Sequence, residues 1–147
     1  MVSNKKILIV AIITVAVVAV VSVFLWQSLT SSYAEVEGNI KTFLGKVNNY
    51  DTAGAWALVS TDYQESWGEY IEFDNMITVL QGTQWNAQIE GINSRSIETT
   101  NGITRADFTL TAKITDTEHQ GQYSETWIFK LVKTGNQWKV DDWLTQD

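Results

Sequence analysis

The stretch ITRADFTLTAKIT, Ile103 to Thr115, places Ala106, Phe108, Leu110, Ala112 and Ile114 on one side and Arg105, Asp107, Thr109, Thr111 and Lys113 on the other. A period of two is that of a strand with one face buried. Asn101-Gly102 stands in front of it, and both central residues of a tight type I′ hairpin need positive φ, which Asn and Gly tolerate. The segment before that turn is therefore the antiparallel partner. It runs from Ile92 to Glu98, preceded by the alternating Trp85, Ala87 and Ile89, with Gly91 as the place for a bulge or bend. Downstream, Asp116 to Gly121 is a polar loop. In Tyr123 to Lys133 the residues Tyr123, Glu125, Trp127, Phe129 and Leu131 share a face, while Ile128 and Val132 point the other way. Thr134-Gly135-Asn136 turns into Gln137 to Leu144, where Trp138 and Val140 face inward. Four sequential strands on short connections make an antiparallel meander.

Upstream of Gly82 the period changes to about 3.6 residues. Val36, Ile40, Phe43, Leu44 and Val47 form one stripe of a helix from about Tyr33 to Tyr50, with Ser31 or Ser32 available as its cap. Asp51 or Thr52 caps a short second helix through Ala55, Trp56, Leu58 and Val59. Ser60-Thr61-Asp62 restarts the chain, and Tyr63 to Tyr70 is a helical turn or irregular segment containing Trp67. Phe73, Met76, Ile77 and Leu80 give a further stripe, with Asp74 as cap and Gly82 as stop. Helices first and a meander second specify an α+β fold, about three helices packed on a four-stranded antiparallel sheet that its glycine break lets curl into a cone. The helices occupy about 33–82 and the sheet about 84–144. Helical periodicity over nearly half the domain argues against a β-sandwich.

Ahead of this domain lies ILIVAIITVAVVAVVSVFLW, Ile7 to Trp26, interrupted only by Thr14 and Ser22 and without charge. At about 1.5 Å per residue such a helix covers roughly 30 Å, enough to cross the hydrocarbon of a bilayer. Lys5 and Lys6 precede it and Gln27 to Tyr33 carry no charge, so residues 1–6 are expected in the cytoplasm, 7–26 in the cell membrane, 27–32 as a short linker and 33–147 outside, a single-pass arrangement. Ser32-Tyr33-Ala34 also suits signal cleavage, but the apolar core exceeds the ~7–15 residues of a signal peptide, which favours a retained anchor.

Seventeen acidic against ten basic residues give a net charge of −7, and two of the lysines precede the apolar run, so the domain is more acidic still. Such a surface repels phosphate backbones, which excludes nucleic acid as a partner. There is no Cys, hence no disulfide, thiolate metal site or lipid attachment through sulfur. Stability must come from packing, for which seven Trp, five Tyr and five Phe supply the area.

The segment Asn49-Tyr50-Asp51 with Ala55-Trp56-Ala57-Leu58, and the closing Phe129-Lys130-Leu131-Val132-Lys133 and Gln137-Trp138-Lys139-Val140-Asp141-Asp142-Trp143, resemble the nuclear transport factor two-like, or cystatin-like cone, superfamily over roughly Tyr33 to Trp143. The likeness is nearest to small extracytoplasmic members on an N-terminal anchor. It implies a fold that hosts isomerases, dehydratases, ligand carriers and protein-binding modules, and it implies no catalytic residue here, because the Tyr and Asp of the ketosteroid isomerase branch have no counterpart motif.

His119, the only His, sits in a polar loop between Glu118 and Gln120 and reads as a solvated residue, so no metal site or Ser-His-Asp set is expected. The acidic cluster Asp62, Glu65, Glu69, Glu72 and Asp74 lacks calcium-loop spacing. No cofactor motif is present. Glu125 shares its face with Tyr123, Trp127 and Phe129; inside the cone its charged form would be desolvated, at a solvated mouth it would not. Trp56, Trp67, Trp85, Trp127, Trp138 and Trp143 can serve as core or as an aromatic pocket, and Trp67 beside Gly68 is the one best placed at an opening. The candidate ligand-binding residues are thus Trp67, Trp85, Tyr123, Glu125 and Trp127. Ile128 and Val132 leave the outer sheet face partly apolar, suited to self-association or a protein partner. The expected function is a non-catalytic, membrane-anchored binding or interaction module for a protein partner or small apolar ligand. The alternatives are an isomerase- or dehydratase-like enzyme with Glu125 as base, and a pilin-like filament subunit.

Overall fold

Alternation turns into pairing. The computed structural model, which describes residues 4–118 and 121–146 with side chains from Thr14 onward, has β1 (Asn86–Thr100), β2 (Ile103–Asp116), β3 (Gly121–Thr134) and β4 (Gln137–Thr145) in a single antiparallel sheet of order β1-β2-β3-β4. The hairpin residues Asn101 and Gly102 have φ of 53° and 78°, as the turn chemistry requires. Ala106, Phe108, Leu110, Ala112 and Ile114 are all buried, and so are Trp127, Phe129 and Leu131 of β3. Register shifts between Ile89 and Gly91 and between Ile92 and Ser94 bend β1 against β2, which gives the curled sheet its curvature.

The helices are α1 (Asn4–Asn48), α2 (Thr52–Trp56), α3 (Thr61–Trp67) and α4 (Tyr70–Gly82). The chain divides into two compact units, Met1–Ala34 and Glu35–Asp147. In the first, α1 carries the one stretch among the described residues that is long and apolar enough to cross a membrane, and every described side chain from Thr14 to Ser31 is exposed. Neither Ser31 nor Ser32 caps a new helix. Both hydroxyls donate back to the Ser28 carbonyl at 3.0 Å, so the stretch expected as a linker at 27–32 is helical. With no Gly or Pro there, nothing interrupts the backbone ladder.

In the second unit, Val36, Ile40, Phe43, Leu44 and Val47 are buried, and the Phe43 ring meets Phe129 edge-on at 6.2 Å. The helix ends at Asn48, before Tyr50, whose φ of 56° leaves the helical region. Asp51 caps α2 by accepting from the Gly54 amide at 2.9 Å and holds Lys46 at 2.7 Å. The Lys46 bond first, then the Gly54 amide, lower its carboxyl below the usual value. A Cβ on Gly54 would overlap that carboxylate and the Lys46 stem, so a larger residue there would push both side chains aside. Ser60 caps α3, which is a regular helix ended by Gly68 at φ 82°. Asp74 is not a cap: α4 begins four residues earlier, at Tyr70, where Trp56 packs edge-on against Tyr70 at 5.5 Å and lies tilted against Phe73 at 5.2 Å.

Both sheet edges are tied to the helical layer. On the β1 side, Asn48 donates to the Ala87 carbonyl at 2.8 Å and accepts from its amide at 2.9 Å, imitating a strand neighbour. On the β4 side, Val140 exchanges backbone bonds with Leu58 and Ser60, forming a short parallel bridge between Val59 and Val140. The β4 ladder slips between Lys130 and Leu131, leaving Asp141 as the extra residue, and Ser60 donates to its carboxylate at 2.6 Å.

Candidate functional site

The slip at Asp141 decides the site. By strict alternation from Trp138 and Val140, Trp143 would face outward; the extra residue returns it to the inner face, opposite Phe129. There it stacks on Phe129 at 5.6 Å, meets Phe43 edge-on at 5.6 Å and stands 73° to the Trp127 ring at 5.2 Å. Trp85, just before β1, lies nearly parallel to Trp127 at 6.0 Å. On the helical side Trp67 packs edge-on against Phe73 at 5.5 Å and Tyr63 at 6.3 Å.

Between these two aromatic groups lies a cavity of about 380 Å³. α3 contributes Tyr63 and Trp67, α4 contributes Met76 and Leu80, and Trp85 precedes β1. β3 contributes Glu125 and Trp127, and β4 contributes Trp143, Leu144 and Thr145. Its walls are mainly aromatic and aliphatic, with Glu125 the one acid among them. The half-buried carboxylate accepts the Trp127 indole N–H at 2.9 Å on Oε2. Residues two apart on a strand share a face, so this bond follows from the local geometry. Burial raises the Tyr63 phenol above its ordinary value, a hydrogen bond with Trp67 opposing and the Asp142 charge reinforcing the shift.

Four of the five residues selected from sequence, Trp67, Trp85, Glu125 and Trp127, therefore meet in one cavity. Tyr123 does not line it. Its hydroxyl donates to the buried Asp116 carboxylate at 3.0 Å across the end of the β2-β3 hairpin. Burial, then the bond to Asp116, pushes its phenol up to about 12. Because the folded value exceeds the ordinary 10, the stability it contributes is intact below pH 10 and is lost as pH rises from 10 through about 12. We expect Tyr123→Phe to delete this late step from an absorbance titration of the phenolates; a titration unchanged by the substitution would contradict the hairpin lock.

Tyr63, Met76 and Leu80 are lining residues that the sequence does not mark, and Trp143, one of the six tryptophans that could form core or pocket, joins the wall although it is not among the five candidates. The available signal was a conflict, a tryptophan at a position that simple alternation sends outward, which is itself a mark of a bulge. Ile128 and Val132 lie on the outer face, with the exposed Lys130–Asp142 ion pair at 3.3 Å in the row between them. His119 lies outside the described residues, and among those described no group of acids or imidazoles converges on a metal position.

No family model and no curated protein matches this chain. Solved structures do share its fold. One is a protein of unknown function with a cystatin-like fold from Nostoc punctiforme, 12% identical, with a TM-score of 0.56 over 77% of this chain and 88% of that one. Another is a protein of unknown function from Mycobacterium tuberculosis, 9% identical, TM-score 0.58, over 82% and 73%. A third is a putative calcium/calmodulin dependent protein kinase II association domain from Xanthomonas campestris, 13% identical, TM-score 0.53, over 76% and 84%. At these identities the likeness establishes the cystatin-like α+β fold, as the sequence implied.

Proposed function

We propose that this chain is a single-pass membrane protein whose cystatin-like domain, outside the cytoplasm, binds a small ligand with an apolar body, as an anchored member of the nuclear transport factor two-like superfamily. The observation that carries this reading is the cavity of about 380 Å³ walled by Trp67, Trp85, Trp127 and Trp143. Small-molecule sites are concave, mainly apolar clefts of roughly 300–1,000 Å³ with few polar groups, and this one fits the lower end. The exposed apolar helix supports the anchor, and Lys5 and Lys6 on its N-terminal flank support the orientation.

Titrating the full-length protein in a maltoside detergent with neutral ring compounds such as 2-naphthol, by calorimetry, tests the cavity. We expect saturable binding, weakened about tenfold by Trp67→Ala, since one well-packed aromatic wall contributes on the order of 1–2 kcal/mol. A wild-type protein that takes up no ring compound at millimolar concentration would dismiss the reading. Glu125 on the wall supports a second reading, an isomerase-like enzyme with this carboxylate as base. Catalysed exchange of an activated C–H proton in a bound ketone, abolished by Glu125→Gln, would favour it.

A further inference from the structure

We infer that the cleft selects a positively charged ligand, an alkylated ammonium group carried on a compact apolar body. The inference rests on the binding reading above and adds the ligand's charge to it. Glu125 is the only carboxylate on the lining, and neither Lys nor Arg stands there. Among the described residues no cation pairs with Glu125, whose one hydrogen bond comes from the Trp127 indole to Oε2. Oε1 is therefore left to solvent or ligand. A half-buried carboxylate without a counter-ion is a costly feature for a wall otherwise made of rings, and a cationic ligand would offset that cost.

The rings supply a second attraction of the same sign. Trp is the strongest aromatic partner for a cation, and cages of such rings are the recurring means of holding quaternary ammonium groups. Half-buried Trp67 and Trp143 are the rings on the lining with face left to meet a ligand, and Trp85 and Trp127, 7% and 2% exposed, back them, Trp143 standing at 56° and 73° to that pair. An anion meets no positive group on these walls. A sugar, which needs many paired donors and acceptors, meets few acceptors here, since beyond Glu125 the side chains offer only the Tyr63 and Thr145 hydroxyls, the tryptophan indoles being donors alone. The acidic balance of the chain, −7 overall, draws cations toward the cleft from solution.

Choline and its neutral carbon isostere, 3,3-dimethylbutan-1-ol, have the same shape and differ in charge, so they separate the two ideas. Both are titrated into the full-length protein in maltoside micelles at neutral pH and low salt, with calorimetric detection. We expect choline to bind about tenfold or more tightly than the isostere, and Glu125→Gln to remove most of that preference. Equal binding of the two by the wild-type protein overturns the inference and leaves the apolar-ligand reading standing. Failure of both, together with failure of the neutral ring compounds, removes that reading as well. The wild-type comparison does not depend on how the variant folds. Phosphocholine as a third probe identifies the source of the group: binding comparable to choline points to a lipid headgroup, and exclusion of its phosphate by Glu125 points to a free amine.

Discussion

Trp127→Ala is expected to cost about 3–5 kcal/mol of folding free energy, the range for deleting a large buried aromatic. Trp127 is 2% exposed and touches Trp85, Phe129 and Trp143, so its removal opens a void at the centre of the sheet's inner face. It also takes away the indole N–H that Glu125 accepts at 2.9 Å. Domains of this size are stable by roughly 5–15 kcal/mol, so the variant should melt well below the parent and sit near the unfolding threshold. Trp127→Phe retains much of the packing and loses the indole donor, and it should fall between the two. Urea unfolding of the full-length chain in detergent makes the comparison. A loss below about 1 kcal/mol for the alanine variant would mean that the rings do not pack as a core.

Aspartates at Val15 and Val18 together are expected to abolish membrane insertion. Each carboxylate near the middle of a spanning helix costs about 2.5–3.5 kcal/mol on insertion scales, against a small favourable contribution from each valine. Both positions are exposed, Val15 at 70% and Val18 at 59%, so neither change disturbs packing described within the chain. The parent should remain in the pellet after alkaline carbonate extraction and the double variant should move to the supernatant. Retention of the variant in the pellet would show that Ile7 to Trp26 is not what holds the protein to the bilayer. In sealed inverted vesicles, protection of the domain from added protease would agree with Lys5 and Lys6 on the cytoplasmic side.

The sheet was legible because the period of two in Ile103 to Thr115 and the Asn101-Gly102 turn are local signals, and local signals suffice for strands and hairpins. The cap at Asp51 was legible for the same reason. The start of α4 was not, because Tyr70 is drawn into the helix by Trp56, a partner fourteen positions away. The cavity was legible in four residues, since strand parity and a tryptophan beside glycine pointed to them. Tyr123 shares that parity, yet it turns away because Asp116 offers its hydroxyl a buried acceptor.

By itself the amino-acid sequence determined an apolar stretch long enough to span a bilayer, an acidic domain without cysteine, and the order of helices followed by a meander, all properties carried by spacing and composition. Only the tertiary structure decided which rings face one another. A single extra residue at Asp141, held by Ser60 eighty-one positions earlier, turns Trp143 inward beside Trp127. The period of a strand says which side chains alternate, whereas hydrogen bonds between distant segments set where that alternation slips, and the slip here completes the aromatic wall around Glu125.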